Sequence, residues 1–237
     1  MIHDHPRRGV SPRVAARLAD TRRRILDAAR TVVAEQGFAA AQVAVVAQLA
    51  DVATGSVYRH FPSKAALFAE MLRSVCEREL AVVHAIAAET DRGAAERVGD
   101  AVAAFTDRAL RGQGLSYAVI AEPMDREVDQ VRLQARADLA EAFTGLIEEG
   151  IAAGEIGEQD CRARGAAIVG AMLEALVAPL AEASEIERHR ADLPAEIGRF
   201  CQAAIGGVTT TSRAATDPTT PPRPAPTPLA PAQKGRT

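Results

Sequence analysis

Ala41 to Lys64 reads AQVAVVAQLADVATGSVYRHFPSK, and this stretch decides the fold. Val43, Val46, Ala47 and Ala50 recur at i, i+3, i+4 and i+7, one face of a short helix. Asp51 breaks the pattern. A second short helix follows, with Val57 and Phe61 on its inner stripe and Thr54, Ser56, Tyr58, Arg59 and His60 left to point elsewhere. Two short helices joined by a turn of a few residues form a helix-turn-helix, whose second helix enters the major groove of DNA. The same pattern also describes an ordinary helical hairpin. Small and hydroxyl-bearing residues followed by Tyr, Arg and His favour the DNA reading, because they approach a groove closely and donate to phosphate oxygens. Gly55 removes a side chain where backbone and DNA would meet. Ser63 reads as the N-cap of the next helix with Lys64 at its first position, a helix N-terminus plus a cation suited to a phosphate.

Gly55-Ser56-Val57-Tyr58-Arg59-His60-Phe61-Pro62-Ser63-Lys64, with Leu67 after it, resembles the signature of the tetracycline-repressor (TetR) family. The approach resembles it too: Ile25, Leu26, Ala28 and Ala29, then Gly37-Phe38. The specific part covers about residues 21–70. Three positions depart from the family pattern. Ala41-Gln42 stand where the family usually has a Thr pair, Asp51 replaces the usual turn Gly, and Ala53 replaces a Ser or Thr cap worth about 1 kcal/mol. Asp tolerates the left-handed conformation, though less readily than Gly. These departures bear on affinity rather than on fold.

Charge is distributed to match. Residues 1–70 hold ten Lys and Arg against six Asp and Glu, whereas residues 71–206 hold fourteen against twenty-four. A basic head on an acidic body suits a DNA reader, although solvated faces also carry such charge. The sparse aromatic content and abundance of Ala argue for helices throughout. The expected fold class is therefore all-α: a three-helix helix-turn-helix domain followed by a helical effector-binding and dimerisation domain. The expected parts are a flexible basic arm (1–20), the head (21–70), the body (71–206) and a disordered Thr/Pro-rich tail (207–237). In the arm, Ser11-Pro12 are placed to start a short helix, and tracking of DNA by the arm is one role open to it. The first firm helix is expected at about 22–36, capped by Thr21 and ended by Gly37, with Arg22, Arg23 and Arg24 in its first turn beside a phosphate backbone.

Apolar periodicity then marks helices at about 64–89, 94–111, 115–122, 125–153, 159–183 and 190–205. Small residues in the segment at 159–183 (Gly165, Ala166, Ala167, Gly170, Ala171, Ala175) allow close approach of backbones. The segment at 190–205 shows a stripe of Leu193, Ile197, Phe200, Cys201 and Ala204. Either stripe serves equally as internal core. A two-fold DNA reader needs a symmetric dimer, and the TetR resemblance implies a homodimer through these two helices. The run from Gly165 to Ala183 is just long enough to cross a bilayer, but Glu174, Pro179 and the lack of basic flanks read as a buried helix, so no membrane is expected. The start MIHDHPRRGV has no apolar signal region, and Cys76, Cys161 and Cys201 have no pairing pattern, which points to reduced thiols in a cytoplasm.

No catalytic constellation, phosphate loop or metal spacing emerges; His3, His5, His60, His84 and His189 are scattered. No enzyme activity, cofactor or metal is expected. A helical enzyme would require an acid/base pair assembled from distant residues. What the TetR resemblance implies instead is a small-molecule effector held between helices of the body. Candidate lining residues are Val83, Phe105, Tyr117, Ile120, Met124, Phe143 and Met172, with His84, Glu122, Arg132 and Arg136 as polar candidates. Arg132 and Arg136, at i and i+4, suit an anionic group. Each candidate also reads as core or as a surface ion pair. For DNA the candidates are Thr54, Ser56 and Arg59 at base edges, Gly55 for close approach, and Tyr58, His60 and Lys64 on phosphates. The expected function is a dimeric repressor released from a palindromic operator by a mainly apolar effector; an activator or a partner-regulated protein fits the same motifs.

Overall fold

A computed structural model describes residues 11–182, 187 and 191–206. Among them there are helices and no strand: α1 Pro12–Ala40, α2 Val43–Leu49, α3 Thr54–His60, α4 Lys64–Ala87, α5 Ala94–Arg111, α6 Gln113–Ala121, α7 Arg126–Ala152, α8 Cys161–Ala181 and α9 Leu193–Gly206. The expected tail and residues 1–10 of the expected arm lie outside the described residues.

Helix α1 begins earlier than the sequence reading places it. Ser11 caps it, its hydroxyl accepting from the Val14 N–H at 3.4 Å, and Pro12 supplies the fixed φ of a first helical residue. Thr21 is therefore not a cap; its hydroxyl donates to the Arg17 carbonyl inside the helix. The regular helix stops at Gly37, where φ is +72° and ψ 172°, and one further turn carries the chain to Ala40. This backbone conformation is open essentially to glycine alone.

Two apolar cores organise the described chain. The first gathers Ile25, Ala29, Val32 and Val33 of α1, Val46 of α2, Val57 and Phe61 around α3, and Leu67, Phe68, Met71 and Leu72 of α4. The second gathers Val83 of α4 with Val98, Val102 and Phe105 of α5, Phe143 and Ile147 of α7, Met172 and Leu176 of α8, and Ile197 and Cys201 of α9. Helix α4 belongs to both. So does α6, whose Ala118 and Val119 face the first core and whose Tyr117 and Ile120 face the second. Head and body are thus joined through shared helices rather than a linker.

Small residues permit this packing. Gly114 of α6 lies so close to the Ala34 carbonyl of α1 that any side chain would collide with it. Gly165 of α8 similarly abuts Ala140 and Thr144 of α7. Arg97 is 2% exposed, with its guanidinium donating to Glu149 at 2.6 Å and to the Ala87 carbonyl at 2.5 Å. That ion pair closes the far end of the body and holds the Glu149 carboxyl below its ordinary pKa range.

Candidate nucleic-acid interface and effector cavity

The candidate recognition element is the seven-residue α3. Val57 and Phe61 turn inward, each 1% exposed, and anchor it. Thr54, Gly55, Tyr58 and Arg59 are exposed, while Ser56 and His60 are partly covered. The Arg59 guanidinium donates to the Ser56 hydroxyl at 2.8 Å, so these two candidates form one polar unit along the outer face. A Cβ built on Gly55 meets nothing within 4 Å. The fold itself therefore does not require glycine there. At α4, Ser63 accepts from the Ala66 N–H at 2.9 Å, as its cap reading expects, and the Lys64 ammonium lies 5.8 Å from the Phe68 ring centre. Neither Gln42 nor Ala53 makes a side-chain cap, in keeping with the departures seen in the sequence.

Two arginines that sequence reasoning assigned to phosphates do something else. Arg22 turns inward: its Nε donates to Glu70 at 2.9 Å, its second nitrogen ion-pairs with the same carboxylate, and its third donates to the His60 carbonyl at 2.8 Å. The guanidinium also stacks 4.3 Å from the Phe61 ring centre. Arg24 donates to the carbonyls of Ala50 and Asp51 in the turn before α3. Asp51 there has φ +53°, the left-handed conformation expected of it. The two arginines thus fix α3 at its end and at its approach. Their positions at i and i+2 of α1 carried no signal of this, because most of the partners are backbone carbonyls distant in sequence. Arg23 lies outward, exposed and paired with Asp20.

The effector candidates divide. A cavity of about 60 Å³ lies between α4, α5, α6, α7 and α8, lined among others by Val75, Cys76, Phe105, Ile120, Arg132, Arg136 and Leu139. Phe105, Ile120, Arg132 and Arg136 therefore meet at one cavity. Val83, Phe143 and Met172 are fully buried in the second core and do not line it, and Tyr117 packs on that core. Met124 packs against the first core, and His84 is exposed on an outer groove. Arg132 and Arg136 are not free to meet a ligand as they stand. Arg132 donates to the Glu122 carbonyl at 2.9 Å and pairs with Asp129, and Arg136 donates to the Ile120 carbonyl at 3.3 Å. Of these two guanidiniums, that of Arg132 has its buried Nε without a partner.

Glu122 departs most from its expected place. Its side chain leaves the cavity and reaches the head, accepting from the Phe38 N–H at 2.8 Å and lying over Gly37, where a Cβ would clash with the carboxylate. A continuous path results: cavity wall, Arg132 and Arg136, the carbonyls at the end of α6, the Glu122 carboxylate, and the α1 break. Each step of this path is an ordinary hydrogen bond, so the α6 end and Gly37-Phe38 are in direct contact.

Cys76, at the cavity wall, has its pKa pushed up to about 11 by burial and by Glu79, Glu77 and Asp138. Cys201 is pushed up to about 11 by burial alone, and Cys161 is raised by burial. All three are protonated at neutral pH and poorly reactive. Among the described residues no group of His, Cys, Asp and Glu could hold a metal ion.

Helix α8 is long and apolar enough to cross a membrane by length and composition, with 44% of its apolar window buried in the fold. Gly165, Val169, Met172 and Leu176 face inward, while Ala166, Ala167, Gly170 and Glu174 face outward. On α9, Ile197 and Cys201 face inward, and Phe200, Ala203 and Ala204 outward, with Phe200 63% exposed. The stripes expected to meet a second subunit thus split between core and surface.

Residues 25–71 match the model for bacterial regulatory proteins of the tetR family. Over 75 residues the chain is 43% identical to the HTH-type transcriptional repressor KstR of Mycolicibacterium smegmatis, a stretch covering 32% of this chain and 33% of that protein. It is 44% identical over 59 residues to the repressor of the same name from Rhodococcus jostii, covering 25% and 28%. The chain spans about a third of the length of these curated relatives. Among solved structures, the transcriptional regulator FadR from Bacillus subtilis, in complex with stearoyl-CoA, superposes with a TM-score of 0.67 at 22% identity, covering 78% of this chain and 98% of that one. TylP from Streptomyces fradiae superposes with a TM-score of 0.62 at 22% identity, covering 80% and 88%. Both share the fold.

Proposed function

We propose that this chain, which belongs to the tetR family of bacterial regulatory proteins, is a DNA-binding transcriptional repressor that acts as a homodimer and leaves its operator when a mainly apolar effector enters the body. The observation that carries the reading is α3: a helix anchored by Val57 and Phe61, fixed at both ends by Arg22 and Arg24, and presenting Thr54, Gly55, Tyr58 and Arg59 outward. Rigid anchoring with a polar outer face is what groove reading requires. Thr54, Ser56 and Arg59 take the base edges. Gly55 allows close approach. Tyr58, His60 and Lys64 take phosphates.

Two copies pair through the outward faces of α8 and α9, where exposed Phe200 adjoins Ala171 and Ala175 in a shallow groove. A large apolar side chain among small ones on adjacent helices supports a self-complementary contact.

The effector site is the central cavity. At about 60 Å³ it is far smaller than the roughly 300–1,000 Å³ of ordinary ligand sites. An effector must therefore enlarge it, and the walls that yield are α6 and α7. Enlargement draws Arg132 and Arg136 from the Glu122 and Ile120 carbonyls toward the ligand, and the buried Nε of Arg132 offers an unmet donor for a polar or anionic end of that ligand. Glu122 then loosens its hold on Phe38, and the heads change spacing. Stearoyl-CoA bound to FadR, a protein of the same fold, supports an elongated apolar ligand with an anionic end. A coupling of about 1–3 kcal/mol suffices for a switch.

The test is a mobility-shift titration with duplexes that the protein selects from a random-sequence pool, at two salt concentrations. Saturable, salt-sensitive binding is expected; Tyr58→Phe and Lys64→Ala each weaken it for all sequences, and Lys64→Ala, which removes a cation, also lowers the salt slope. Full affinity in both variants, or no selected sequence at all, refutes the assignment.

A further inference from the structure

We propose that the first ten residues of α1, residues 12–21, form a second DNA contact, in which Arg13 and Arg17 seat on the phosphate backbone outside the bases reached by α3. The proposal rests on the DNA-binding reading above and extends it to a segment outside the family match, which begins at residue 25.

Placement comes first. Helix α1 is fixed to the body at its far end, where Phe38 meets Glu122 and Ala34 abuts Gly114. Near its middle it is fixed to the recognition helix, through Arg22 on His60 and Arg24 on Ala50 and Asp51. Residues before 22 therefore continue past α3 on the side away from the body. At 1.5 Å per residue, the ten residues from Pro12 to Thr21 extend about 15 Å beyond.

Nothing in the described chain explains why they are there. Every residue from Ser11 to Ala19 is exposed. So short a helix does not stand by propensity alone; it stands as a continuation of α1, started by a Ser cap and a Pro. The charges run against local preference. The first turn holds no acidic residue, and Arg13 sits at the end where the helix dipole disfavours a cation. Among the described residues neither Arg13 nor Arg17 joins an ion pair, and Asp20, the acid of this segment, is taken by Arg23. Both guanidiniums are thus left solvated and open to a negative surface outside the chain.

The direction of the charge identifies that surface. Arg13, Arg17 and Arg24 fall at i, i+4 and i+11, one stripe of a 3.6-residue helix. Arg24 shows where the stripe points: at the carbonyls of the turn leading into α3. The two outer arginines therefore lie above the approach to the recognition helix, on the strand that helix would straddle. Side chains on this stripe carry no hydrogen-bond code for bases, so the contact positions the head and adds affinity without sequence preference.

The test compares the full chain with the R13Q/R17Q variant on a duplex selected by the full chain from a random pool. Each arginine on a phosphate contributes about 0.9 to the salt slope, so two per head, in a dimer, contribute between about 3 and 4. Binding at low salt should weaken on the order of 100-fold in the variant. Hydroxyl-radical protection should shrink at its outer edges and persist over the half-sites. R13K/R17K should restore the slope. The denaturation midpoint should not fall, because among the described residues neither side chain joins a hydrogen bond or ion pair and the dipole disfavours the Arg13 charge. Equal slope and equal affinity for the full chain and R13Q/R17Q overturn the proposal and leave α3 as the reader. A pool from which the full chain selects nothing overturns the DNA reading itself, and this proposal with it.

Discussion

Removing the Glu122 carboxylate tests the join between body and head. The Phe38 N–H has this oxygen as its partner at 2.8 Å, in a partly buried setting. A hydrogen bond to a charged group contributes about 1.5–3 kcal/mol. Glu122→Ala should therefore lower stability by roughly 2 kcal/mol, and Glu122→Gln, which still offers a neutral acceptor, by about half as much. Gly37→Ala provides the second arm of a cycle. It places a side chain at φ +72° and drives it into the carboxylate, so it should cost about 3 kcal/mol or more through strain and collision together. With the carboxylate removed, the collision vanishes and only the strain remains. The double variant Gly37→Ala/Glu122→Ala should consequently lose less than the sum of its parts, by about 1 kcal/mol or more. Urea denaturation of the four proteins, followed by helix signal, measures each value. The same contact limits the switch: coupling carried through Glu122 cannot exceed what the contact is worth, and the response of DNA affinity to effector should fall in Glu122→Ala. Additivity of the two single losses within about 0.5 kcal/mol would falsify the contact as drawn.

Two further outcomes follow from the geometry. Gly55→Ala should separate stability from binding: a Cβ there meets nothing in the chain, so the helix gains up to about 1 kcal/mol, while DNA affinity falls because the backbone can no longer approach the groove. A variant that loses stability, or binds as well as the parent, contradicts that role. The thiols of Cys76 and Cys201 predict a loss at alkaline pH. Folded Cys76 and Cys201 titrate near 11 against an ordinary 9.0, so the folded state holds protons that the unfolded state releases. Their contribution is complete below pH 9 and disappears as pH rises toward 11. Denaturation midpoints at pH 8 and 10.5 should therefore differ in the parent, and less so in Cys76→Ala/Cys201→Ala; an equal difference in both would show that other groups govern the alkaline limb.

The sequence by itself determined the head and the helical class. Apolar spacing at Val43, Val46, Ala47 and Ala50, and the run from Gly55 to Lys64, are local signals: each helix, turn and cap there is encoded within a few residues of itself. Asp51 could be read as left-handed, and Ser63 as a cap, for the same reason. The boundaries of α5 and α7 were legible because glycine breaks and a proline punctuate the periodicity. Tertiary structure alone decided where the long polar side chains go. Arg22 and Arg24 look like phosphate ligands until α3 and α4 fold back against α1 and offer them the His60, Ala50 and Asp51 carbonyls and the Glu70 carboxylate. Glu122 looks like a pocket residue until α6 crosses α1 and brings a backbone N–H within 2.8 Å. The partners in each case are separated by between 26 and 84 residues, and most are backbone groups that every residue carries alike. Side-chain identity cannot mark such a partner, so only the packing of helices against one another selects it.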